Sequence, residues 1–228
     1  MGMLDLAAFS ATALVREPFE YLVVPGFVKT EARERVNAAF PRIERPGSFP
    51  LSELDYDADF AQLMEELGSE PMRAAFEQKF GIDLNGRPTM ITVRGRAGQK
   101  DGRIHTDTSS KIITVLIYMN SRWEADGGRL RLLRSADDLD DMILEVPPEE
   151  GTLLAFRRSD NSFHGHKPFI GERRVIQFNW ITDQRVVDRE LKRHRFSAWT
   201  KRILSFGGSR GGEYDAPAPS KQPYRTAS

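Results

Sequence analysis

The hydrophobic pattern of this chain changes its period near residue 88. Before that point, a short apolar stretch predicts a strand at 21–27, and apolar residues at helical spacing predict helices at 31–40, 59–67 and 71–80. After it, short β-rich segments alternate with turn residues at 89–94, 112–119, 130–133, 143–146, 152–156 and 174–182. Because no helical pattern separates these strands, the sequence predicts a mainly β protein with flanking helices, built as an antiparallel sandwich or barrel.

The end of the chain returns to a helical period after residue 183. Apolar residues such as Val186, Val187 and Leu191 interleave there with many basic residues, which predicts a basic amphipathic helix. We expect its apolar stripe to pack on the sheet and its basic face to be solvated, rather than to bind nucleic acid. The segment 206–228, rich in Gly, Ser, Pro and Ala, predicts a flexible tail. The predicted organisation is therefore a support region at 1–87, a core at 88–205 and a tail at 206–228, forming one functional domain.

The composition narrows the classes of function. The 228 residues carry 33 basic and 33 acidic side chains, so no overall field favours nucleic acid or an anionic membrane. The absence of cysteine excludes disulfides and thiolate metal sites and fits a reducing compartment. The first residues lack the pattern of a signal peptide, and no apolar run approaches the roughly 20 residues of a membrane span. We expect a soluble cytoplasmic protein.

A candidate metal site begins at His105 and Asp107. Residues two apart on an extended segment project to the same face, so an imidazole and a carboxylate can reach one ion. A second imidazole follows the strand at 152–156, supplied by either His164 or His166, with His164 preferred. Two histidines and one carboxylate form the facial triad of non-haem Fe(II) oxygenases, which leaves coordination positions open.

An arginine follows these candidate ligands at the start of the last predicted strand. Arg173 lies nine residues after His164, and its planar guanidinium suits bidentate binding of a carboxylate, such as the far end of a keto acid that chelates the metal. Arg174 is the alternative, but alternate residues of a strand face opposite ways, so only one arginine points inward. If Arg173 points inward, so do Val175, Gln177 and Asn179, which gives an unusually polar inner face.

Together these motifs resemble the 2-oxoglutarate and Fe(II)-dependent dioxygenases, in particular the prolyl 4-hydroxylase-like branch. The resemblance extends over about 88–182 and includes the strand that ends at Tyr118 and Asn120, followed by Trp123, the Gly127 and Gly128 hairpin, and the strand at 151–156. It implies a double-stranded β-helix, or jelly-roll, core.

The resemblance also implies a set of ligands and roles. Fe(II) would be bound by His105, Asp107 and His164, and 2-oxoglutarate by Arg173 and Tyr118, with dioxygen as the oxidant and succinate and CO2 as products. An aspartate at the second ligand position favours hydroxylation over halogenation. Tyr118 is alternatively a core aromatic residue. Lys111 either contacts 2-oxoglutarate or substrate, or lies exposed at the start of its strand. No catalytic residue is predicted beyond the metal site.

Two rival interpretations remain. One is a cupin-type metalloenzyme that does not use 2-oxoglutarate, although cupins usually carry more histidines at the first ligand strand. The other is a metal-free jelly-roll binding module whose basic C-terminal helix docks an anionic partner. The substrate of the preferred enzyme is either a protein side chain or a small molecule, reached past the segments 41–57 and 94–104. The sequence predicts no nucleic-acid or membrane partner and does not indicate an oligomeric state.

Overall fold

The computed structural model describes residues 2–189. Within these residues the complete α-helices are α1 Leu6–Ala11, α2 Thr30–Ala38, α3 Ala58–Leu67 and α4 Glu70–Phe80, and there is a short 3-10 helix at Leu51–Glu53. The strands are β1 Tyr21–Val24, β2 Phe49–Pro50, β3 Thr89–Ala97, β4 Lys111–Tyr118, β5 Leu130–Leu133, β6 Met142–Val146, β7 Thr152–Arg157, β8 His164–Gly165 and β9 Gly171–Ile181.

The strands form two sheets that pack face to face. The larger sheet has the order β1-β7-β4-β9-β3-β2, and the smaller has the order β6-β5-β8, with antiparallel pairing between neighbours. Apolar side chains from both sheets share one buried cluster, which includes Leu116, Phe156 and Val175 from the larger sheet and Leu132 and Val146 from the smaller one. The prediction of a mainly β protein with a jelly-roll core and flanking helices is confirmed.

The helices cover the outer face of the larger sheet. Alternate residues of β4 point to opposite faces, so Ile113, Val115 and Ile117 pack into the helical cluster while the intervening side chains point between the sheets. On the helical side, Phe76 lies 4.5 Å from the ring of Phe9 and 4.8 Å from that of Trp180. This layer packs on one face of the sheet and leaves the other face free to form the floor of a site.

Several short elements differ from the sequence prediction. The first helix, α1, and the two-residue strands β2 and β8 were not predicted, because segments so short carry no measurable period. The N-terminal region supplies both edges of the larger sheet, since β1 pairs with β7 and β2 pairs with β3. The proposed boundaries at 87 and 205 stay predictions.

The last strand has the phase that places Arg173 inward. Arg173, Val175 and Gln177 line the space between the sheets, while Arg174 lies on the opposite face. There its guanidinium donates to the carbonyl oxygen of Asn37 at 3.0 Å and lies 5.3 Å from the ring centre of Phe40. The two arginines therefore have different surroundings despite being adjacent in the chain.

Part of the predicted C-terminal region lies outside the described residues. Residues 184–189 are helical, as predicted, but the rest of the basic amphipathic helix and the tail at 206–228 fall beyond residue 189. Within residues 2–189, no helix has both the length and the apolar character needed to cross a membrane.

Candidate metal centre and adjoining cavity

Three side chains converge between the sheets at one end of the molecule. His105 precedes β4 and pairs with His164 of β8: each backbone nitrogen donates to the other's carbonyl oxygen, at 3.0 and 2.9 Å. The imidazole rings of the two residues lie 4.3 Å apart between centroids. One ligand atom from each of His105, Asp107 and His164 lies within 4.8 Å of the others. The two chain segments, far apart in sequence, thus form a group that can hold one ion.

Backbone carbonyl groups fix the tautomers of both histidines. Nδ1 of His105 lies 2.9 Å from the carbonyl oxygen of Arg103, and Nδ1 of His164 lies 3.0 Å from that of Ser162. A carbonyl can only accept, so each Nδ1 carries the proton and each Nε2 keeps its lone pair. Burial lowers the pKa of His164 to about 4, against the opposing charge of Asp107, so this imidazole is neutral at neutral pH. Both rings therefore present the nitrogen that a metal requires.

Asp107 is buried, and both of its carboxylate oxygens accept hydrogen bonds. Lys111 donates to Oδ1 at 2.6 Å, and the hydroxyl of Thr114 donates to Oδ2 at 2.5 Å. Burial acts to raise the pKa of Asp107, but the nearby charges of Lys111 and His164 and these hydrogen bonds outweigh it, and the net direction is downward. The carboxylate is thus ionised and held in a fixed orientation.

The contact between Thr114 and Asp107 gives a first test of the site. Thr114→Val keeps the shape of the side chain and removes the donor, so Asp107 loses one of the bonds that orient it. Removing an outer-shell hydrogen-bond partner of this kind typically lowers metal affinity by about 10–100-fold. We expect Mn(II) binding, measured by calorimetry, to weaken within that range, and Thr114→Ser to bind as the wild type does. Equal affinity in the valine and serine variants would show that the hydroxyl does not support the ligand.

Arg173 lies at the other end of the same cavity. It is buried, its Nε donates to the carbonyl oxygen of Gly128 at 2.8 Å, and within residues 2–189 no carboxylate pairs with it. The backbone of Gly128 has φ +78°, and a Cβ there would lie 2.6 Å from the ring of Trp123, so only glycine fits this turn. Burial lowers the pKa of Arg173, yet a guanidinium starts so high that it stays charged. A buried cation without a counter-ion indicates a place for an anion.

Tyr118 lies beside this arginine. Its ring centre is 5.5 Å from the guanidinium carbon of Arg173, and its buried hydroxyl has no hydrogen-bond partner among residues 2–189. Burial raises the pKa of Tyr118 to about 12, although the charge of Arg173 opposes the shift. The hydroxyl therefore remains a donor at neutral pH. An arginine fork and a donor hydroxyl, both lacking an acidic partner in this part of the chain, fit the distal carboxylate of 2-oxoglutarate.

The alternative residues considered from the sequence occupy other positions. His166 lines the cavity, but it is not part of the group that converges on one ion, and its Nδ1 lies 2.8 Å from the carbonyl oxygen of Lys167. Arg174 faces the helical layer, as described above. Lys111 is mostly buried and bound to Asp107, rather than exposed at the strand start. The geometry favours His164 and Arg173, and their roles in ligand binding stay predictions.

The cavity that joins these groups has a volume of about 190 Å³. Some residues that line this cavity were given no role from the sequence, because a single polar residue in a strand or loop forms no motif. They include Ser48, Thr92, Arg94, Asp101 and Thr114. The only available signals were indirect: Arg94 and Asp101 belong to the segment 94–104, and Ser48 to the segment 41–57, which were expected to frame the entrance.

Part of this chain is similar to known proteins. Residues 93–182 match the model of the 2OG-Fe(II) oxygenase superfamily. Among curated protein sequences there is no match. HygX from Streptomyces hygroscopicus, whose structure has nickel and 2-oxoglutarate bound, is similar with a TM-score of 0.50 and 14% identity, over 71% of this chain and 81% of that one. This likeness supports the jelly-roll fold.

Prolyl hydroxylase structures are also among the similar ones. A prolyl-4-hydroxylase from Pseudomonas putida has a TM-score of 0.48 and 16% identity, over 77% of this chain and 90% of its own. The viral collagen prolyl hydroxylase from Paramecium Bursaria Chlorella virus-1 has a TM-score of 0.46 and 16% identity, over 71% of this chain and 94% of its own.

Proposed function

We propose that this protein hydroxylates an organic substrate while converting 2-oxoglutarate to succinate and CO2. The proposal is supported by the match of residues 93–182 to the model of the 2OG-Fe(II) oxygenase superfamily, which uses Fe(II), 2-oxoglutarate and dioxygen. The observation that carries the proposal is the single cavity with the His105, Asp107 and His164 group at one end and the buried Arg173 and Tyr118 at the other. A cupin that does not use 2-oxoglutarate would have no need of this second group.

The metal-binding end is suited to Fe(II). When bound there, Fe(II) supplies the open coordination positions and the electrons needed to activate dioxygen against a keto acid. The residues of this chain hold the ion in place: the two histidines present Nε2, and Asp107 contributes a negative charge oriented by Thr114. Because the carboxylate ligand is present, no ligand position is vacated for a halide, which favours hydroxylation.

The remaining residues position the co-substrate. Arg173 and Tyr118 would hold the distal carboxylate of 2-oxoglutarate, which leaves its keto acid end directed to the metal. Leu116, Leu130 and Val175 line the cavity and offer apolar contacts to the methylene groups between the two ends.

Product formation tests this proposal directly. Purified protein with Fe(II), 2-oxoglutarate and dioxygen should release succinate slowly without substrate, and faster when a substrate from a panel of peptides and metabolites is added. His105→Ala provides the background, because it lacks a metal ligand. Succinate release equal to that background across the panel would contradict the proposal. Substrate oxidation that continues without 2-oxoglutarate would favour the cupin-type alternative.

A further inference from the structure

The inner face of the larger sheet forms the floor of the cavity. Its side chains fall into two adjacent strips, one along β4 and one along β3 and β2, and each strip is called a lane below. Leu116 of β4 pairs with Gln177 of β9, and Gln177 pairs with Thr92 of β3. One row further along, Val175 of β9 lies between Tyr118 of β4 and Arg94 of β3. Neighbouring strands are about 4.8 Å apart, so Arg94 stands about 10 Å across the sheet from Tyr118. The two positions therefore contact different parts of the cavity contents.

The lane along β4 is mostly apolar and leads from the metal ligands to Arg173. The lane along β3 and β2 is polar and is lined by Ser48, Thr92, Arg94, Asp101 and Gln177. The roles assigned above to 2-oxoglutarate use only the first lane. The second lane borders the same cavity, and none of its side chains has a role assigned above.

Arg94 is held in place within the polar lane by contacts with its neighbours. Its guanidinium is paired with the carboxylate of Asp101, and its Nη2 lies 3.2 Å from the hydroxyl of Ser48. The Asp101 oxygen that pairs with Arg94 also accepts from the backbone nitrogen of Gly98 at 2.8 Å. The Arg94 side chain keeps 22% of its surface exposed, so it is both anchored and accessible from the cavity. An arginine held in this way loses little entropy when it binds a ligand.

The charges that face the cavity leave an excess of positive charge. Three cationic side chains, Arg94, Lys111 and Arg173, stand against two carboxylates, Asp101 and Asp107. Histidines that ligate a metal are neutral. A divalent metal and the dianion of 2-oxoglutarate cancel each other's charge, so the loaded cavity keeps one positive charge in excess. That balance favours a substrate with a single negative charge.

We propose that Arg94 is the substrate anchor of this site, and that the substrate is a small molecule bearing a free carboxylate that Arg94 binds. The inference rests on the proposed function and names its substrate class. A guanidinium fork matches a carboxylate in shape as well as in charge. The cavity of about 190 Å³ must also hold 2-oxoglutarate, so the space left over suits a small substrate. The carboxylate in the polar lane then places the rest of the molecule against the metal end.

Anaerobic binding to the loaded protein tests the proposal. The probes are N-acetyl-L-amino acids, which carry a single negative charge, each compared with its C-terminal amide and added to protein carrying Fe(II) and 2-oxoglutarate. Binding is measured by calorimetry and by the change in the visible absorption of the metal and 2-oxoglutarate complex. At least one carboxylate probe should bind more than 10-fold more tightly than its amide. Arg94→Gln should remove that preference, and Arg94→Lys should retain part of it.

Arg96→Gln is the matched control, because Arg96 lies on the same strand but is exposed and does not line the cavity. It should leave probe binding unchanged. Arg94→Gln should still bind 2-oxoglutarate with the wild-type absorption, and loss of that absorption would assign Arg94 to the co-substrate and overturn the proposal. A panel in which no carboxylate exceeds its amide would overturn it as well. Failure of the wild type to bind 2-oxoglutarate would instead refute the proposed function.

Discussion

His164→Ala is expected to abolish metal binding, whereas His166→Ala should bind the ion almost as the wild type does. The first variant removes one of the three ligand side chains that converge within 4.8 Å, and the second removes a cavity wall outside that group. Loss of outer-shell partners alone costs about 10–100-fold in metal affinity, so loss of a ligand should cost at least about 100-fold. Mn(II) titration followed by calorimetry or electron paramagnetic resonance measures the difference.

This pair of variants has an internal control. Both histidines are largely buried, so thermal unfolding of the metal-free proteins should show similar stabilities. A variant that is folded but does not bind the ion then reports on ligation alone. Retention of metal by His164→Ala together with its loss in His166→Ala would exchange the two assignments.

Arg173→Gln is expected to weaken 2-oxoglutarate binding by at least about 30-fold. Truncating one partner of a buried charge pair typically costs about 2–5 kcal/mol, because the other charge is left buried without its counter-ion. Arg173 is buried beside Tyr118 and has no carboxylate partner within residues 2–189, so the co-substrate would be its counter-ion. Calorimetric titration of 2-oxoglutarate into the Mn(II) protein measures the change.

Arg174→Gln is the matched control for this experiment. Its guanidinium contacts Glu172 at 2.9 Å and the carbonyl oxygen of Asn37, on the opposite face of the sheet. Its removal should leave the affinity for 2-oxoglutarate unchanged, although it can lower stability. A larger loss of affinity in the Arg174 variant than in the Arg173 variant would contradict the placement of the co-substrate.

Much of the fold could be predicted from local patterns. Apart from β8, the strands from residue 89 onward were found within a few residues, because each is a short segment rich in apolar and β-branched residues and closed by turn residues. The helices α2, α3 and α4 were found because apolar residues recur at helical spacing in each of them. By contrast, β2 and β8 have two residues each and exist because longer strands pair with them. Pairing of this kind is a property of the folded chain and leaves no period in the sequence.

Some residues of the candidate site could likewise be found from the sequence, and others could not. His105, Asp107, His164 and Arg173 could be found because their spacing forms a motif. The support that Thr114 gives to Asp107 depends on the strand register. The position of Arg94 depends on the pairing of β3 with β9, which brings it to the same face as Val175. Lys111 shows what the sequence alone does not decide. Its position in the chain allowed either exposure to solvent or contact with a ligand, and in the structure it forms an ion pair with Asp107.

The central claim is that one cavity holds Fe(II) and 2-oxoglutarate together, and anaerobic absorption spectroscopy tests it most directly. Addition of 2-oxoglutarate to the Fe(II) protein should produce a visible charge-transfer band, because the keto acid must chelate the metal to give one. The band should be absent from His164→Ala and present in His166→Ala. A wild-type protein that binds the ion, as shown separately by calorimetry, but gives no band with 2-oxoglutarate would contradict the account.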